Sequence, residues 1–145
     1  MSADGNGTSD RSDASRGRNV AFVDASALIA LADWDDASHD AAVAAYDDLV
    51  ANGFALFTTN LAFIQAHSLL TAVLGPDAAL AWLERCRIPI YPISVEDLAT
   101  GRSNVASSGA TDESALTTAV HLAVLDRLGV SDVFAVERDF LAALG

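Results

Sequence analysis

Between Asn19 and Asp33 the chain reads NVAFVDASALIALAD, and no other stretch limits so firmly what it can fold into. Val20 to Val23 is a short apolar run of the length of a buried strand. Asp24 follows at once, and Ser26 to Leu31 then reads as a helix. A strand that ends on a carboxylate and turns directly into a helix holds a charge at the C-terminal edge of a sheet. Open α/β sheets place their ligands at that edge. The rest of the chain either supplies partners for Asp24 or leaves it alone.

The same alternation continues downstream. Ser38 stands where it can cap a helix whose apolar positions include Ala41, Val43, Ala44, Leu49 and Val50, and Asn52-Gly53 ends it. Phe54 to Thr58 is a second short strand. Thr58, Thr59 and Asn60 are candidate caps for a helix with Leu61, Ile64, Leu69 and Val73 as its buried side, stopped by Gly75-Pro76. Ala78 to Arg85 follows as a helix. Arg87 to Ile93 is a third strand, placed near a sheet edge by Pro89 and Pro92. Val95 to Leu98 opens a helix that runs into Thr100 to Thr111, rich in Ser, Gly and Asn. Ser114 to Leu128 is the last long helix, and Val133 to Val136 the last strand, ending on Glu137. Short apolar strands alternating with amphipathic helices call for a parallel sheet with helices on both faces.

With 145 residues the chain is expected to form one domain, burying roughly two-thirds of its unfolded surface without staples. A single cysteine, Cys86, excludes an internal disulfide, and no apolar stretch nears the roughly 18 residues a membrane span needs. The polar start, MSADGNGTSDRSDASRGR, reads as a disordered tail over residues 1–18 rather than a signal peptide, and a cytoplasmic location is expected. The net charge is −12, every basic residue is arginine, and Asp far outnumbers Glu. Such a charge repels itself and other polyanions until salt screens it, and at molar salt the screening length falls to about 3 Å. We read the excess acid as adaptation to a salt-filled, halophilic cytoplasm. On that reading the charge does not argue against nucleic-acid binding.

Three segments together carry a family pattern. VDASALIALAD resembles the opening strand and first acid of the PIN-domain family, and of its small VapC-type toxins in particular. TTNLAFIQAHSLL is similar to that family's Thr-capped second motif, and SALTTAVHLAVLDRLGVSDVFAVERDF to its closing helix, turn and strand. The resemblance covers residues 19 to about 141. It implies a PIN-like three-layer α/β/α fold over residues 19–145, with a short central parallel sheet flanked by helices. The implied activity is Mg²⁺- or Mn²⁺-dependent endoribonuclease chemistry, with RNA as substrate. An antitoxin-like partner and a homodimer are implied as well.

Carried over residue by residue, the pattern assigns Asp24 and Glu137 as catalytic and metal-holding acids. The expected second acid falls on Gln65 and the third on Thr118, so two of four carboxylates are replaced. A carboxamide or hydroxyl oxygen ligates a hard cation less well than a carboxylate and accepts a proton poorly. Asp112 and Glu113 are the acids that could compensate, although acids at that helix start also complement its dipole. Two functions therefore stay open: an active PIN-type endoribonuclease, and a weak or inactive PIN-like module that binds RNA or protein. Ser26 either positions a metal-bound water or caps the helix. His39 and His121 have no sequence partner that suggests catalysis, and Trp34 and Trp82 are expected to pack a helix or a dimer interface. Arg102, Arg127 and Arg138 are the phosphate contacts available in the C-terminal half.

Overall fold

A computed structural model describes residues 19–136. The tail over residues 1–18 and the expectations placed on Glu137 and Arg138 lie outside the described residues. Strand β1 (Val20–Val23) leads through α1 (Ala25–Ala32) and α2 (His39–Ala51) to β2 (Ala55–Thr59). Helices α3 (Asn60–Leu74) and α4 (Pro76–Arg85) then lead to β3 (Ile90–Tyr91), and α5 (Val95–Ser108) and α6 (Ala115–Leu128) to β4 (Asp132–Phe134).

The four strands form a parallel sheet in the order β3-β2-β1-β4. The chain winds outward from β1 through β2 to β3 and then returns to the far side of β1. The order therefore reverses between β1 and β4, and a crevice opens at the C-terminal ends of these two strands. Helices flank the sheet in the α/β arrangement expected from the alternation of elements. The core centres on Phe22, Val23, Leu28, Phe57 and Phe134, with alanines at the closest approaches.

Those alanines correct two expected helix faces. Helix α3 buries Ala62, Ala66 and Leu70, whereas Ile64 (62% exposed), Leu69 and Val73 face outward. Helix α2 likewise buries Ala42 and leaves Val43, Ala44 and Val50 exposed. Alanine lets backbones approach closely, so each helix turns its small side chains inward and its seam lies about one residue from the large-residue stripe. Trp34, expected to pack a helix or a dimer interface, is 83% exposed with its ring 6.3 Å from that of His39, whereas Trp82 stacks on Phe63 at 4.8 Å between ring centroids.

The Ser- and Gly-rich segment from Thr100 is regular helix as far as Ser108. Ser94 starts α5 with a reciprocal capping box: its hydroxyl accepts the Asp97 N–H, and the Asp97 carboxylate accepts the Ser94 N–H. Gly101 has a packing reason, since a Cβ there would stand 2.6 Å from Val120 Cγ2 of α6. Strand β3 shrinks to two residues between its prolines, at the edge as expected. Ser38 precedes α2 without a side-chain cap bond; its N–H instead donates to Asp36 Oδ1 at 2.8 Å.

Candidate active site

Asp24 is placed by both elements it joins. Its N–H donates to the Phe134 carbonyl at 3.0 Å, which ties the end of β1 to the end of β4. Its side chain caps α1: Oδ2 accepts the Ser26 hydroxyl at 2.9 Å and the Ser26 N–H at 3.4 Å. Ser26 Oγ in turn accepts the Val136 N–H at 3.1 Å. Ser26 thus clamps the Asp24 carboxylate to the exit of β4, and the cap of α1 is Asp24 itself. Asp24 is only 4% exposed, yet no basic side chain forms an ion pair with it among the described residues.

A cleft of about 510 Å³ opens over this point, lined among others by Asp24, Asp36, Gln65, Glu113, Thr117 and Val136. Its described lining holds three acids and no base. Of the two candidate compensating acids, Glu113 lines the cleft. Asp112 does not; it accepts the Ser114 hydroxyl at 2.9 Å and the Ala115 N–H at 3.2 Å at the start of α6. Gln65 lines the cleft where the second acid was expected. At the third position α6 turns Thr117, not Thr118, to the cleft, and Gln65 Nε2 donates to Thr117 Oγ1 over a long 3.4 Å. Val136 brings the chain to the cleft wall immediately before Glu137.

Among the described residues no three His, Cys, Asp or Glu side chains converge as a ready-made metal site. The donors nevertheless suit a hard cation held by few protein ligands. Mg²⁺ takes oxygen donors and is satisfied with one or two carboxylates, keeping several waters. Asp24 and Glu113 supply carboxylates, the cleft has room for waters, and with Nε2 committed to Thr117, Gln65 keeps Oε1 as a neutral oxygen donor.

Beneath the cleft lies a residue that sequence reasoning passed over. His121 is 1% exposed, its ring tilted against Phe22 with centroids 4.9 Å apart. Its Nε2 stands 2.7 Å from Thr59 Oγ1, which also accepts the Ala62 N–H as the cap of α3. Burial drives the imidazole pKa down to about 4, against the opposing pull of the Asp24 charge and the Thr117 carbonyl, so the ring is neutral near pH 7. One signal could have found it: His121 is the lone polar residue on the apolar face made by Val120, Val124 and Leu125. Its partner, 62 residues away, left no mark in the sequence.

Of the three arginines expected to meet phosphate, one is committed elsewhere. Arg127 donates from Nε and Nη2 to both oxygens of Asp97, at 2.9 and 2.8 Å, which corrects its reading as a phosphate contact. That bidentate bond holds the Asp97 pKa down at about 2. Arg102 stays exposed on α5, and Arg138 lies outside the described residues.

No family model and no curated protein matches the chain. Among solved structures it is similar to the crystal structure of Mycobacterium tuberculosis VapC20, described as a sarcin-ricin loop cleaving toxin. The TM-score is 0.71 at 24% identity, over 85% of this chain and 94% of that one. The chain shares the PIN-like fold of that structure. In this PIN fold Asp24 stands at the head of the crevice beside β1, and Gln65 and Thr117 are neutral members of the same cleft lining. No helix among the described residues is long and apolar enough to cross a membrane.

Proposed function

We propose that the protein is a PIN-type endoribonuclease that hydrolyses RNA with one weakly held Mg²⁺ or Mn²⁺. The observation that carries this reading is the placement of Asp24, Asp36 and Glu113 around one cleft with no base in its described lining. Asp24 and Glu137 are the metal-holding and catalytic acids of this proposal, and Glu113 is the compensating third. A cation bound there would polarise the phosphodiester and lower the pKa of an attacking water. Asp24, fixed by Ser26, orients its free oxygen into the cleft, and Glu113 is the base placed to take the proton from water. The full chain is incubated with RNA and Mn²⁺ in molar KCl beside Asp24→Asn. Cleavage that disappears with the substitution is expected; cleavage that survives it, or none in any metal, rejects the reading.

The hydrogen bond from Gln65 to Thr117 favours a second reading: a catalytically weak or inactive PIN-like module that binds RNA or an antitoxin-like protein. It joins two neutral groups where a metal site would hold two acids. Calorimetric titration with Mn²⁺ separates the two, since micromolar binding that Asp24→Asn removes counts against the module. The implied homodimer belongs to the same proposal, and a monomer by sedimentation velocity in molar salt removes it. We also infer that the charge of −12 is a high-salt adaptation. The melting temperature should then climb from dilute to molar KCl as repulsion is screened, and a fall refutes it.

A further inference from the structure

We propose that His121 is a positioning residue of the cleft, holding the α3 wall to the α6 wall through Thr59 and so fixing Gln65 against Thr117. The need for such a residue comes from the packing. Helix α3 packs chiefly on α1 and α4 and α6 chiefly on α5, while Ala62 and Ala66 of one wall and Leu125 of the other share the core. Among the described residues two side-chain hydrogen bonds join the two walls: Gln65 to Thr117 at 3.4 Å near the surface, and Thr59 to His121 at 2.7 Å with both residues buried. The outer bridge is long and weak, and the inner one is short and shielded from water.

The hydrogen-bond directions fit together. Thr59 Oγ1 accepts the Ala62 N–H, which leaves its hydroxyl proton to donate to Nε2. The second nitrogen then carries the ring proton, and the ring's other anchor is its own backbone on α6, one turn after Thr117. The imidazole thus ties the cap of the helix that carries Gln65 to α6, one turn from the residue Gln65 touches. Phe22 at the end of β1 supports the ring from below, two residues before Asp24. Gln65, Thr117 and Asp24 are registered against one another through this buried ring. Its value for turnover rests on the nuclease reading; its control of the wall does not.

The test uses the full chain in molar KCl and follows the Gln65 side-chain amide by heteronuclear NMR, assigned by its loss in Gln65→Glu. His121→Phe keeps a ring against Phe22 and deletes the hydrogen bond to Thr59. The Gln65 signals should move, and exchange of the Ala62 amide should quicken about fivefold, as for a weakened cap. His121→Gln, whose amide can take up the bond at the Nε2 position, should restore both. If His121→Phe does not fold, Thr59→Val removes the same bond from the other side at nearly the same shape, and the same shift of Gln65 is expected. Unmoved Gln65 signals in whichever variant folds, or a Gln variant that behaves like the Phe variant, overturn the role. Where the wild type cleaves RNA, His121→Phe should lower kcat about tenfold with KM unchanged, and an unchanged kcat overturns the role too. A wild type that never cleaves refutes the nuclease reading, and the Gln65 signals still decide on His121.

Discussion

Two carboxylates of this protein are almost equally buried and are held in opposite ways. Asp97, 2% exposed, meets the planar fork of Arg127 with both oxygens and closes the capping box of α5. Asp24 receives only a hydroxyl and one long backbone N–H, both from Ser26, and no cation among the described residues. A buried carboxylate is costly unless paired. Asp97 is matched within the protein and is therefore explained as structure: it ties α5 to α6. Asp24 is left facing a cleft whose described lining adds two further acids and no base. A buried charge that the fold positions but does not neutralise is the arrangement expected where the neutralising cation comes from outside.

The largest expected effect breaks this contrast directly. Asp24→Asn should reduce Mn²⁺-dependent RNA cleavage about a hundredfold or more while leaving thermal stability unchanged or slightly raised. Asn caps a helix as well as Asp does, and a poorly paired buried charge disappears. Asp97→Asn should do the reverse, leaving catalysis on properly folded protein intact. It should cost about 2 kcal/mol in denaturant titrations, less than for a fully buried pair because Arg127 can turn to water. Equal losses of stability in both variants would dissolve the distinction between a structural and a functional carboxylate.

The two sites also differ in how far the sequence revealed them. Asp24 was legible because everything that places it is local: four apolar residues, an acid and a helix. The sheet and the order of helices followed from the same short-range alternation. The face of α3 was misplaced because periodicity favours large residues, whereas packing here selected Ala62 and Ala66 for close approach. Thr118 was named in place of Thr117 by motif alignment, which fixes the turn of helix but not its rotation. Asp97 with Arg127 and Thr59 with His121 join residues far apart in the chain, and no local pattern encodes such a meeting. Glu113 could be named as a candidate, yet only the fold distinguishes it from Asp112 beside it.

Acid should separate the buried groups in two steps. Between pH 6.5 and about 4 the unfolded chain binds a proton at His121 that the folded chain excludes. The unfolded state then holds more protons, so stability falls as pH falls through this window, by about 3 kcal/mol at most. Asp97 is shifted the other way, down to about 2 from its ordinary 3.8. Its contribution is complete above the ordinary value and is lost as pH drops toward about 2. Denaturant midpoints measured across both windows should show two descents. His121→Gln should flatten the upper descent alone and Asp97→Asn the lower alone; a variant that alters both, or neither, contradicts the assignment.

The smallest effect sharpens the contrast most. Gln65→Glu combined with Thr117→Asp adds two carboxylates to the cleft wall that already faces Asp24. Without metal the added charges repel Asp24 and Glu113, so the variant should melt lower than wild type. With Mn²⁺ the same charges become ligands, and affinity should rise about tenfold, which is roughly 1.4 kcal/mol. Gln65→Glu with Thr118→Asp carries the same net charge on a helix position that does not line the cleft. It should gain less than half of that free energy, because ligation acts over a few ångströms and bulk charge does not replace it. If the two double variants bind Mn²⁺ equally, rotation of α6 is not what selects the ligands. The acid deficit of the cleft would then be a matter of total charge, and Asp24 would differ from Asp97 in degree only.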